Sequence, residues 1–166
     1  FFDTGEVPAC GYKIFRAGAM RQSSGKGTKW ADSEARTGTL LKAPNVIENE
    51  FLRVEMMPNG TFDLTDKRLN RVFRGLNYYE DRGEIGDYWI NQRPMFDQAH
   101  TSLGCAARIW SEESGPLQAT LVNEITMRLP SRSIREQQRR GDQLDDLTIR
   151  TAVTLRAGQE QVEVNV

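Results

Sequence analysis

One histidine, two cysteines and no apolar run beyond a few residues are what most narrow this 166-residue chain. His100 alone cannot build a histidine-containing zinc site without partners, so a surface or packing role is expected for it. Cys10 and Cys105 show neither metal-ligand spacing nor a disulfide framework. They read as two buried thiols, which fits a reducing, cytoplasmic compartment better than an oxidising one. A bilayer-spanning helix needs about 20 apolar residues, and none is present. Net charge is -1, so no general attraction to nucleic acid or anionic membrane is expected. No initiator Met, charged leader or small-residue cleavage site opens the sequence, which therefore reads as an internal piece of a longer protein. Helical periodicity is missing too: nowhere beyond a turn or two do apolar residues recur at i, i+3, i+4 and i+7.

What remains is 38% hydrophobic and 27% charged, the balance of a soluble globular domain, and its pattern is period 2. Leu52, Val54 and Met56 alternate with Arg53 and Glu55, and Phe62 and Leu64 alternate with Asp63 and Thr65. Between them lies Pro58-Asn59-Gly60. A two-residue Asn59-Gly60 loop would set Phe62 opposite Met57 and split the apolar set between faces. A three-residue loop sets Met56 opposite Phe62 and Val54 opposite Leu64, with Gly60 in the left-handed position. The register therefore predicts the three-residue hairpin. Asn59-Gly60-Thr61 also matches a glycosylation acceptor, but the hairpin accounts for it more simply.

Elsewhere, Val7 to Ala17 predicts a short strand with Tyr12, Ile14 and Arg16 on one face, and Gly18 to Gly38 a polar linker. The Gly25-Lys26-Gly27-Thr28 run within it lacks the spacing and the strand-to-helix setting of a phosphate loop. Val72-Phe73 and Leu76 to Glu80 suggest a strand pair broken at Arg74-Gly75; Asp81 to Pro94 reads as loop; Leu103 to Trp110 returns to β character. Leu117 to Leu129 is the longest strand, thirteen residues spanning roughly 43 Å. Its apolar face is broken only by Asn123, for which a bulge or an edge position would account. Ser131 to Asp146 reads as a solvated loop in which Asp142, Asp145 and Asp146 neutralise Arg135, Arg139 and Arg140. Leu147 to Arg156 repeats the one-sided pattern, with Leu147, Ile149, Val153 and Leu155 inward. A final strand at Val162 to Val166 stops without a turn and offers an edge to another chain, a second copy included.

The motifs E-N-E-F-L-R-V-E, N-G-T-F-D-L-T-D-K and R-G-L-N-Y-Y-E-D, followed by G-D-Y-W, T-S-L-G and S-G-P-L-Q-A-T-L, resemble the C-terminal β-domain of glycoside hydrolase family 38, the α-mannosidases. The similarity runs from about Asn45 to the end and, more weakly, over Val7 to Phe15. It implies an all-β fold: an incomplete antiparallel β-sandwich, similar to the galactose-mutarotase-like supersandwich, over residues 46–166, with residues 1–45 as a short β segment plus polar linker. It also implies that the nucleophilic Asp and the Zn2+ ligands lie in an upstream domain of the parent, leaving no catalytic or metal residue here and no cofactor in this piece. The piece alone is expected to be inactive.

The same resemblance implies that β-domain loops approach the parent's pocket. Asp87, Tyr88, Trp89, Asn91 and Arg93 are the candidate contacts to an α-mannoside, because aromatic faces stack on sugars and Asp, Asn and Arg pair with hydroxyls. Core packing of Tyr88 and Trp89 competes with that role. Glu80, Asp81, Glu84 and Asp87 formally allow the carboxyl pair of a retaining glycosidase, but a solvated acidic loop is the simpler expectation. Two readings from other classes stay open: a self-sufficient carbohydrate-binding module, and a structural interaction domain acting through its terminal strand.

Overall fold

The structure, a computed structural model, describes residues 12–15 and 38–166. Residues 12–15 are exposed and carry no regular structure, so the part of the predicted N-terminal strand that can be checked is not a strand. The rest of that strand, Cys10 and nearly all of the predicted linker lie outside the described residues.

Alternating segments pair as the period-2 pattern requires. Strands β1 (Leu41–Ala43), β2 (Val46–Glu48), β3 (Leu52–Met56), β4 (Phe62–Asp66) and β5 (Arg71–Leu76) form one antiparallel sheet in sequence order. A second sheet has the order β13-β12-β9-β8, from β8 (Arg108–Ser114), β9 (Gln118–Pro130), β12 (Leu144–Arg156) and β13 (Val162–Asn165). Two short ladders, β6 (Glu80–Asp81) with β7 (His100–Thr101) and β10 (Ser133–Ile134) with β11 (Arg139–Arg140), tie down the connections. The only helical pieces among the described residues are two 3-10 turns, Ser102–Gly104 and Arg135–Gln137.

The two large sheets face each other across one core. Ile47, Leu52, Val54, Met56 and Phe62 come from the first, and Ala119, Leu121, Val153 and Leu155 from the second. The all-β sandwich expected from the sequence is therefore what forms.

The hairpin register is as predicted: Val54 pairs with Leu64 and Met56 with Phe62. Gly60 takes φ +83°, and a Cβ there would stand 2.8 Å from Ile125 Cγ2, so position and conformation both demand glycine. Asn59 Oδ1 accepts from the N–H of Thr61 at 3.2 Å and its hydroxyl at 2.8 Å. The glycosylation-like triplet is thus built into the turn.

Several expectations need correction. Arg71–Leu76 is one strand, not a broken pair: Gly75 at φ +64° absorbs a bulge, and Asp63 holds it through Gly75 N (2.9 Å) and Arg74 Nη1 (3.1 Å). The β character predicted from Leu103 starts only at Arg108, after the 3-10 turn. β12 begins at Leu144, and Leu147 is 49% exposed, because only the second half of this strand reaches the main core. The 131–146 segment is not simply a solvated loop. Its hairpin turns the Arg140 side chain inward, where only 11% of it stays accessible.

Asn123 is neither at a bulge nor at an edge. β9 is central, its pairing with β12 runs unbroken through Thr151↔Asn123, and the residue is 1% exposed. Its Nδ2 crosses the core to donate to Gly60 O at 3.1 Å, so the polar interruption pins the β3–β4 turn to the opposite sheet. Asn49 makes a second pin at the other end. Its Oδ1 accepts from the N–H groups of Phe51 (2.9 Å) and Leu52 (2.7 Å), while its Nδ2 donates to the carbonyls of Arg156 and Gln159, both at 2.7 Å.

Alanine at Asn49 strands the Phe51 and Leu52 N–H groups and the Gln159 carbonyl and leaves the Arg156 carbonyl only a 3.4 Å bond from Gln159 N, while Asn123→Ala strands the Gly60 carbonyl and removes an Oδ1 that is buried without a partner. Chemical denaturation should show a loss of about 3 kcal/mol for Asn49→Ala and about 2 kcal/mol for Asn123→Ala. Losses below roughly 0.5 kcal/mol, the level of an ordinary surface change, would contradict the role given to them.

Candidate functional site

The long connection between β6 and β7 carries the predicted contacts. Its base is clamped where two of the motifs meet. Tyr79 N donates to Ser102 Oγ and Ser102 N to Tyr79 O, both at 2.9 Å, and the Tyr79 hydroxyl lies 2.7 Å from Thr151 Oγ1 on β12. Ser102 is 1% exposed. The loop is thus fixed to the second sheet before it leaves it.

Further out, Ile85 is buried and its N–H donates to Gln92 O at 2.9 Å, pinching the loop into a closed tip. Glu84 organises that tip: Oε1 accepts from Gly86 N (2.6 Å) and Gln92 N (2.8 Å), and Oε2 from Asn91 Nδ2. The Gln92 N–H foremost, then that of Gly86, lowers the Glu84 pKa below its ordinary value. A Cβ on Gly86 would lie 1.8 Å from Ile90 O, so only glycine admits this closure. Asp87 then makes an Asx turn, Oδ1 accepting from Trp89 N and Ile90 N, both at 2.9 Å.

At the apex stand Tyr88, 91% exposed, and Trp89, 86% exposed, edge to face with centroids 5.0 Å apart. These rings therefore lie outside the core formed by the described residues. The five predicted contacts share one loop, but they are not equally free. Asp87 commits one oxygen to the turn, and the Asn91 amide nitrogen is taken by Glu84. Arg93 is exposed and its charge acts on Glu84.

The acidic residues are dispersed among separate duties. Glu80 pairs with Arg82, Asp81 with Arg140 at 2.7 Å, and Glu84 and Asp87 hold backbone N–H groups. Among the described residues no group of three His, Cys, Asp or Glu side chains is placed to hold a metal ion. Sequence reasoning missed the Asp81–Arg140 pair. Its members sit in two segments without period, and nothing local links them.

Replacing Glu84 should loosen the tip without unfolding the sandwich. In Glu84→Ala, hydrogen exchange at Gly86 and Gln92 should approach that of an open loop while the melting temperature hardly moves. Because the Glu84 pKa is lowered on folding, its contribution is complete above the unfolded carboxyl value, about 4.3, and is lost as pH falls through the lower folded value. Protection at those amides should therefore collapse only in acid, and that dependence should vanish in Glu84→Ala. Unchanged protection in the variant would refute the assignment.

With this geometry in hand, the relationship to known proteins is informative. The family model described as "Glycosyl hydrolases family 38 C-terminal domain" matches residues 47–166. A putative mannosylglycerate hydrolase of Halalkalibacterium halodurans is 31% identical over 136 residues, covering 74% of this chain and 15% of that protein. A solved α-mannosidase from Enterococcus faecalis V583 superposes with a TM-score of 0.72 at 29% identity, covering 76% of this chain and 16% of its own. A second Enterococcus faecalis structure, of a glycosyl hydrolase family 38 protein, gives the same TM-score and identity, with 17% of that chain covered. The chain thus spans about one-sixth of the proteins it matches. Motif order, sandwich and family match agree, and the chain belongs to glycoside hydrolase family 38, within that family's C-terminal domain.

Proposed function

We propose that this chain is the non-catalytic β-sandwich portion of a retaining glycosidase acting on α-mannosides, supporting and rimming a pocket whose catalytic residues lie in another part of the parent. The carrying observation is the Tyr88–Trp89 pair, held out on a turn that Glu84 and Asp87 stiffen. Two exposed rings on a rigid tip can stack on the apolar faces of a sugar at little entropic cost. Asp87 keeps one oxygen and Arg93 its guanidinium for hydroxyl groups.

The Zn2+ expected of the parent does not fit these residues. The chain's sole histidine, His100, belongs to no metal-competent cluster among the described residues. The ion therefore belongs, in this reading, to the parent's catalytic domain, and no step of the chemistry is assigned to this piece. Its contribution is positional: a wall that orients the sugar and limits water on one side of the pocket.

The reading predicts that the 166-residue chain with added Zn2+ does not turn over p-nitrophenyl α-mannoside, whereas a longer version extended at both ends does. In the longer protein Trp89→Ala should lower kcat/KM by about tenfold, some 1.4 kcal/mol. Zinc-dependent turnover by the short chain would overturn the proposal, as would an unchanged kcat/KM in the variant.

A further inference from the structure

A cavity of about 410 Å³ opens where β7, the β10–β11 hairpin and the start of β12 converge. Its walls include Phe96, Gln98, His100, Arg140 and Leu144, and neither Tyr88 nor Trp89 lines it. The walls are fixed, not loose. Phe96 N donates to Gln138 O at 2.9 Å and Phe96 bridges to Arg139, while Gln138 takes a left-handed φ of +51° to present that carbonyl. Asp97 Oδ1 accepts from Gly83 N at 2.8 Å, and the His100 backbone stands opposite Asp81 in the β6–β7 ladder. Such a non-glycine conformation persists only where the surroundings determine it.

The polar groups around the cavity are only partly used. Arg140 spends Nη2 on Asp81 Oδ2 (2.7 Å) and Pro130 O (3.0 Å). Its Nε and Nη1 are buried and find no acceptor among the described residues. Gln98 and His100 likewise make no side-chain hydrogen bond among those residues. Both arginines already have carboxylate partners, Asp81 for Arg140 and Asp142 for Arg139 through two bonds of 2.7 and 3.0 Å, and Asp97 beside them keeps a buried Oδ2 without a partner. An anion would compete with carboxylates already in place, whereas a neutral ligand would not. Phe96 is 70% exposed and Leu144 44% exposed, which gives the same space an apolar side.

We propose that this cavity binds one sugar residue. A pyranose offers an apolar C–H face to Phe96 and a rim of hydroxyls that donate and accept toward Gln98 and His100, and the volume lies in the range of small-ligand sites. The inference does not depend on the loop-tip reading above, and the positions of the shifts below, with Phe96→Ala, separate the two.

The test is amide-detected NMR titration of the isotope-labelled 166-residue chain with methyl α-mannoside and methyl α-glucoside, and with sodium acetate at constant ionic strength as the anion probe. Saturable shifts centred on residues 96–100 and 139–144 are expected for at least one sugar, in the millimolar range. Phe96→Ala should weaken binding about tenfold and Phe96→Tyr should keep it, while Leu69→Ala, an exposed apolar change in the β4–β5 turn, should leave it unchanged. Phe96 is mostly exposed, so its replacement does not threaten the fold. No saturable shift with either sugar up to roughly 100 mM, far weaker than a useful site, overturns the proposal. So does tighter binding of acetate to the same residues, or saturable shifts that are confined to residues 86–91 and persist in Phe96→Ala.

Discussion

Two buried asparagines hold this sandwich in one arrangement. An apolar interface between two sheets is non-directional, and hydrophobic burial alone tolerates sliding of one layer over the other. Asn49 removes that freedom at the turn between β2 and β3, where its four side-chain hydrogen bonds join the first sheet to the β12–β13 turn. Asn123 does so at the β3–β4 turn, which Gly60 brings close enough for a 3.1 Å bond. The Asn49 amide is fully satisfied in the native pairing, and Asn123 makes its donor bond there while its Oδ1 stays buried without a partner; a slipped register strands the first and breaks the second.

Charge then reinforces the Asn49 corner. Lys67 Nζ reaches both Asn49 O at 2.5 Å and Glu48 Oε1 at 2.7 Å, and Arg53 joins Glu48 at 3.2 Å. Lys67 foremost, with Arg53, lowers the Glu48 pKa against the opposing effect of burial. Glu50 accepts from Gly158 N at 2.9 Å across the same seam. The loop from β6 to β7 is tied to this frame at its base, Tyr79 with Ser102 and Thr151, and to the β10–β11 hairpin through Glu84 N to Ser133 Oγ (3.2 Å) and Phe96 N to Gln138 O (2.9 Å). Beyond it, local carboxylate-to-backbone bonds shape the tip. A rigid sandwich carrying a self-organised loop suits a surface that presents rings to a ligand.

How much of this could be read in the sequence follows from which interactions are local. Alternation gave the strands and the three-residue hairpin, since register across a hairpin is decided by residues close in the chain. The motif E-N-E pointed to the family, yet its physical job stayed hidden. Asn49 bonds to residues more than a hundred positions away, and no periodicity signals that. Asn123 was visible as an anomaly, but a central strand with a cross-core acceptor cannot be told from an edge or a bulge without the partner sheet. The five candidate contacts do fall in one loop, because they are neighbours in sequence. Exposure of Tyr88 and Trp89, by contrast, was undecidable: aromatic residues suit core and binding surface alike. The Asp81–Arg140 pair and the cavity beside it join segments 59 residues apart, and both segments read as loop.

The most direct measurement is native-state hydrogen exchange across the 166-residue chain. If the asparagine pins couple the sheets, core amides such as Val54 on β3 and Leu121 on β9 should exchange with the same opening free energy and the same denaturant dependence, as one cooperative unit. If the first sheet opens at a clearly lower free energy than the second, the sheets are independent layers and the account of Asn49 and Asn123 is wrong.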